Sequence, residues 1–101
     1  MPSPLSRLKQ LNTRECLWIY ILAILKEKPT HAYALRKGVQ ERFGFRPGVM
    51  TAYKVLYLLH KDGFVRKARL GRRRVYSLTP QGRAELEKAS QYYKNLAKTI
   101  A

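Results

Sequence analysis

The nine residues 66–74, RKARLGRRR, gather six cations around one glycine and contain no acid. Phe64-Val65 leads into this run, and Val75-Tyr76-Ser77-Leu78 follows it with strand-favouring residues. That pattern predicts a short β-hairpin with arms at about 64–70 and 72–78 and Gly71 at the turn. Arg66, Lys67, Arg69, Arg72, Arg73 and Arg74 repel one another on an element too small to separate them. A polyanion bound across them removes that cost. Cations on an exposed hairpin also block sheet-to-sheet aggregation, but one or two suffice for that. Six point to phosphate, and the preference for Arg over Lys suits bidentate contacts or a narrow minor groove.

The segment before the hairpin predicts a helix with two distinct faces. Ala52, Val55, Leu56 and Leu59 recur at the 3.6-residue period and form a core stripe. Met50, Lys54, Tyr57 and Lys61 lie opposite, with Thr51 and Leu58 beside them. Asp62-Gly63 supplies the stop. Upstream, Pro29-Thr30 is expected to open another helix, capped by Thr30, with Ala32, Leu35, Val39 and Phe43 as its buried stripe. Arg36, Lys37 and Arg42 lie off that stripe, where they could reach phosphates. The turn 44–48, GFRPG, joins the two helices in a helix-turn-helix layout. With the hairpin behind it, the fold class is mainly α with a small β-hairpin: a winged helix-turn-helix plus a C-terminal dimerisation helix. The third helix is then the one that enters a major groove. Thr51 and Lys54 are its base-edge candidates, and Met50, Tyr57 and Lys61 complete the contact face. The hairpin cations take phosphate or the minor groove.

The two ends of the chain frame this unit. Residues 1–11 are expected to be a tail with a short helical approach bearing Leu5, Leu8 and Leu11. Asn12 and Glu15 form a capping-box pattern for a helix running to about residue 28. That helix is apolar nearly all round, so it needs cover on several sides, and a second subunit is the expected supplier. Thr79-Pro80 marks the start of a last helix, in which Leu86, Ala89, Tyr93, Leu96 and Ile100 repeat as a short heptad seam. Leu17, Trp18, Ile21, Leu86, Ala89, Tyr93, Leu96 and Ile100 are accordingly the expected homodimer contacts. The domain division is 1–11 tail, 12–79 DNA-binding domain and 80–101 dimerisation helix.

Composition narrows the partner. Of 101 residues, 21 are Lys or Arg and 6 are Asp or Glu, a formal net charge of +15, and 46% are hydrophobic. The apolar share supports one folded domain, and the charge favours nucleic acid over an acidic membrane surface. The single Cys16 forms no internal disulfide. With no Cys/His cluster, no metal or other cofactor is expected, and the location is cytoplasmic, associated with the nucleoid. The apolar run 16–25 is about half a membrane span, and no secretion signal is apparent. His31 and His60 lack an acid–nucleophile arrangement, so an enzyme is not expected. His31, just after a helix start, suits capping or packing.

With those residues in hand, the chain resembles the PadR family of winged-helix transcriptional regulators. The likeness runs from about Leu17 to Leu86. It rests on Ile24-Leu25, Pro29, His31-Ala32-Tyr33-Ala34-Leu35, Thr51, Tyr53, Leu56, Leu59, Asp62-Gly63-Phe64-Val65, Arg74, Tyr76-Ser77-Leu78-Thr79 and Gly82-Arg83. The resemblance implies a homodimeric regulator of double-stranded DNA, most simply a repressor, of the short type with one helix after the hairpin. It also implies a possible small, flat aromatic effector at the dimer interface, near Trp18 and Tyr92 or Tyr93. Two other readings stay open: a nucleoid-type architectural protein with little sequence preference, and an RNA-binding or protein-interaction winged helix.

Overall fold

The computed structural model describes residues 3–101. The chain runs α1 (Pro4–Arg14), α2 (Leu17–Glu27), β1 (Thr30–His31), α3 (Ala32–Phe43), α4 (Val49–Lys61), β2 (Val65–Leu70), β3 (Arg73–Leu78) and α5 (Pro80–Ile100). The expected boundary at residue 11 falls inside α1. Ser3 caps that helix by accepting from the Ser6 N–H at 3.1 Å, and Pro4 takes the first helical position, where its missing N–H costs nothing. Asn12 therefore lies in the last turn of α1 and is not an N-cap. Its side-chain oxygen accepts from the Tyr93 hydroxyl at 2.7 Å and ties α1 to α5. A break at Glu15-Cys16 separates α1 from α2, whose start has no side-chain cap.

The core is built around α2. Leu17, Ile21, Leu22, Ile24 and Leu25 are buried together with Leu35, Val39, Leu56, Leu59, Val65 and Tyr76. Helices α3, α4 and α5 and strand β3 all pack on α2. The chain thus covers most of this helix itself, contrary to the expected need for a second subunit. Leu17 and Ile21 are 2% and 1% exposed within one chain and offer a partner no surface. Trp18 lies at the edge of the core, half-buried.

Helix α3 begins one residue later than Thr30 suggested. His31 is the cap, its Nδ1 accepting from the Ala34 N–H at 3.3 Å. The Thr30 hydroxyl donates instead to the Lys28 carbonyl. Thr30 and His31 form a two-residue strand, β1, which the periodicity did not predict. It pairs antiparallel with β3, Thr30 opposite Tyr76 and His31 opposite Val75, so the sheet order is β1-β3-β2. In α3, Leu35 and Val39 are buried as expected, while Ala32 is half-buried. Phe43 is 36% exposed at the rim, edge-on to Tyr20 at 4.8 Å.

Helix α4 buries Ala52, Leu56 and Leu59 and packs Val55 against the core. It ends at Asp62, and Gly63 then takes φ +85°. The hairpin turn is Gly71-Arg72, with positive φ at Gly71 alone, the pattern of a type II′ turn. Thr79 caps α5 by accepting from Gly82 N–H at 3.0 Å, and its hydroxyl donates to the Gly63 carbonyl at 2.7 Å. One side chain thus joins the end of α4 to the start of α5. The 21 residues of α5 extend past the core and give the chain a long axis of 48 Å.

Candidate nucleic-acid interface

Helices α3 and α4 meet through the turn 44–48. Gly44 ends α3 with φ +80°, a conformation that favours glycine. The Arg36 guanidinium donates through Nε to the Pro47 carbonyl at 3.0 Å and pins the turn. Arg42 pairs with Glu27 at 3.0 Å, and Lys37 approaches Glu41 at 3.9 Å. All three basic residues of α3 therefore have partners within the chain, and Arg36 has a structural task.

The outer face of α4 is open. Met50 is 84% exposed and Tyr57 64%, and Thr51, Lys54 and Lys61 are exposed beside them. Gly48 leads into the helix with no side-chain cap, and its first turn carries no acid. Unpaired N–H groups there favour an approaching anion.

On the hairpin, the pleat sorts the cations. Residues directly opposite share a face. Lys67 faces Tyr76, and Arg69 faces Arg74, on the side that carries Val65 into the core. Arg66 and Arg73 point to the other side, and Arg72 sits in the turn. Arg69 against Arg74 is a like-charge cross-strand pair, which costs roughly 0.2–1 kcal/mol. Among the described residues, none of the six makes an ion pair. Each hairpin face therefore presents uncompensated cations. Burial raises the Tyr76 phenol above its ordinary range, with Arg74 pulling the other way and Tyr53 adding to the rise. It keeps its proton.

Away from this surface, Trp18, Tyr92 and Tyr93 come together around a shallow cleft of about 340 Å³ with Cys16, Ile19, Lys88 and Ala89. The Tyr92 and Tyr93 rings meet edge-on at 6.0 Å. Of the heptad seam, Leu86, Ala89 and Tyr93 are half-buried against the body, while Leu96 is 43% and Ile100 77% exposed. Leu5, Leu8 and Leu11 on α1 are 59%, 57% and 46% exposed. Their i, i+3, i+6 spacing marks an apolar stripe, visible in the sequence but not read as a contact surface. Among the described residues, no helix is long and apolar enough to cross a membrane.

A helix, a short strand, two further helices and a basic hairpin in this order define a winged helix, with β2–β3 as the wing. The chain belongs to the PadR-like family of transcriptional regulators, whose family model matches residues 21–88. A PadR family transcription regulator from Clostridium difficile superposes with a TM-score of 0.75 at 26% identity, over 82% of this chain and 92% of that one. A transcriptional regulator from Clostridium thermocellum gives 0.80 at 20% identity, over 87% and 92%. F93 from STIV, a winged-helix DNA-binding protein, shares the fold with a TM-score of 0.72 at 20% identity, over 82% and 91%. No curated protein matches by sequence.

Proposed function

We propose that the chain is a homodimeric, sequence-specific regulator of transcription that binds double-stranded DNA, acting most simply as a repressor. The observation that carries this reading is the pairing of an exposed polar α4 face with a wing whose six cations have no acidic partners. Thr51 and Lys54 read base edges, with Met50, Tyr57 and Lys61 around them. Arg66, Lys67, Arg69, Arg72, Arg73 and Arg74 take phosphates. In this assignment the DNA-reading unit spans α2 to β3. Helices α1 and α5 hold the dimer, and the DNA in question is that of the cytoplasm. A small flat aromatic effector would sit against Trp18, Tyr92 and Tyr93.

The dimer reading follows from what one chain leaves uncovered. Leu5, Leu8 and Leu11 on α1 and Leu96 and Ile100 on α5 are exposed, and the Tyr93–Asn12 bond joins the two helices. In such a dimer the two α4 helices are expected to enter successive major grooves, about 34 Å apart. Leu8→Glu with Leu96→Glu is expected to convert the dimer to a folded monomer at micromolar concentration, measured by light scattering with a melting curve as control. A double variant that stays dimeric would move the interface elsewhere.

Selection from a random duplex pool tests the DNA reading. Paired half-sites one helical turn apart are expected. Lys54→Ala and Thr51→Ala should relax preference at one or two positions per half-site, each worth about 1–3 kcal/mol of discrimination. No enriched half-site would favour the architectural reading, and preference for structured RNA would remove DNA as the target.

A further inference from the structure

Beside the wing turn, two donors compete for the one accepting nitrogen of His31. His31 Nδ1 accepts from the Ala34 N–H at 3.3 Å, while His31 Nε2 lies 3.2 Å from an Arg73 guanidinium nitrogen. A guanidinium only donates, and a neutral imidazole has one nitrogen able to accept. The Ala34 N–H and an Arg73 N–H thus approach the two ring nitrogens, of which only one can accept. If Nδ1 keeps the cap, Nε2–H and Arg73 point donors at each other. If Nε2 accepts from Arg73, the helix cap is lost. A second protonation removes both acceptors. In the tautomer that keeps the cap, Nε2–H and Arg73 leave room for one shared acceptor between them.

The surroundings fit that acceptor. His31, Arg72, Arg73, Arg74, Tyr33 and Tyr53 border a cleft of about 380 Å³, with Ala32 and Tyr76 completing its lining and no acid among them. Strand β1 covers β3 only at Val75 and Tyr76, so the β3 edge at Arg73–Arg74 is open on this side. The start of α3 faces the same space, and its dipole adds to the preference for an anion. Tyr76 supplies a protonated phenol.

We propose that this cleft is an oxyanion subsite in which His31 Nε2–H and Arg73 jointly hold one phosphate, that of the DNA backbone beside the wing. The identity of the phosphate rests on the DNA-binding reading; the oxyanion chemistry does not. His31 then has two tasks, capping α3 through one nitrogen and donating to phosphate through the other. Arg73 acts in a pair rather than as one cation among six.

Asparagine caps helices well but is too short to place a second donor at Nε2. His31→Asn is therefore expected to keep the melting temperature and lower duplex affinity about tenfold per subunit, the loss of one hydrogen bond to a charged acceptor. Because a neutral donor displaces no counterions, its slope of log affinity against log salt stays at the wild-type value. Arg73→Ala lowers that slope by about one per subunit. The double variant is expected to be weaker by less than the product of the two single losses, since both groups hold the same phosphate.

Long-range 1H–15N NMR on the full chain supplies a readout independent of affinity. Inorganic phosphate, titrated against chloride at matched ionic strength, is expected to shift His31 Nε2 and the Arg73 side chain, as is duplex DNA. If phosphate moves these signals and wild type fails to bind duplex, the subsite stands and the DNA reading falls. If duplex binds but His31 Nε2 stays still and His31→Asn binds like wild type, the subsite is wrong and the DNA reading survives.

Discussion

Replacing Arg72, Arg73 and Arg74 together by alanine is expected to weaken duplex binding on the order of a thousandfold per subunit at low salt, equally for all sequences. The estimate takes about 1.4 kcal/mol for each lost phosphate contact, near the low end for bonds to charged groups because these arginines are exposed. The salt dependence identifies the mechanism. Three fewer cations per subunit release fewer counterions, so the slope of log affinity against log salt becomes shallower by about three per subunit. Stability moves the other way. Removing Arg74 relieves its cross-strand repulsion with Arg69, so the triple variant is expected to melt at or slightly above the wild-type temperature. Fluorescence anisotropy over a salt series and a thermal melt check both halves. A triple variant that bound duplex normally would end the case for the wing as the source of affinity.

The largest effect on folding is expected at Gly82. It is buried in the first turn of α5, under the wing base. A Cβ built there would run into the Phe64 carbonyl oxygen and lie 2.8 Å from Leu78 Cδ1. The Phe64 oxygen cannot retreat freely, because it accepts from the Thr79 N–H at 3.3 Å. Gly82→Ala therefore separates α5 from the sheet, at a cost of about 3 kcal/mol or more. For a domain of this size that lowers the melting temperature by about 12 °C or more. Gly38→Ala is the control. Its Cβ would meet only the end of Ile24, at 3.1 Å, and the gain of about 1 kcal/mol in helix propensity offsets that contact. Equal melting temperatures for the two variants would mean that the α5–sheet junction is looser than it looks.

Features written in local residue chemistry were legible in advance. The α4 core stripe of Ala52, Leu56 and Leu59, the glycine stop at Gly63, the hairpin turn at Gly71 and the Thr79-Pro80 helix start all lie where their residues put them. What escaped depends on distant partners. Thr30-His31 is too short to show a period, and its strand character comes from Tyr76 and Val75, some 45 residues later. Asn12 and Glu15 look like a capping box, but Asn12 falls inside α1, which Ser3 and Pro4 open, and is claimed by Tyr93, while α2 begins only at Leu17. An all-round apolar helix states that it needs cover without saying who supplies it. For Leu17 and Ile21 the supplier is the chain itself, and the uncovered leucines lie on α1 instead.

In the candidate interface, the exposure of Met50, Thr51, Lys54, Tyr57 and Lys61 followed from helical periodicity. The division of the wing cations between two faces followed only from the strand register. The approach of Arg73 to His31 spans 42 residues and no motif announces it.

The two-residue strand β1 also changes what it costs to engage the wing. A lone hairpin is marginal in water, and a floppy arm would surrender its backbone freedom at the moment of docking. Here a third strand and the helix attached to it hold β3 in place before any partner arrives. Association then loses little entropy in this arm. The heat-capacity change of binding is expected to track the surface removed from water, without the added signature of a segment that folds as it binds.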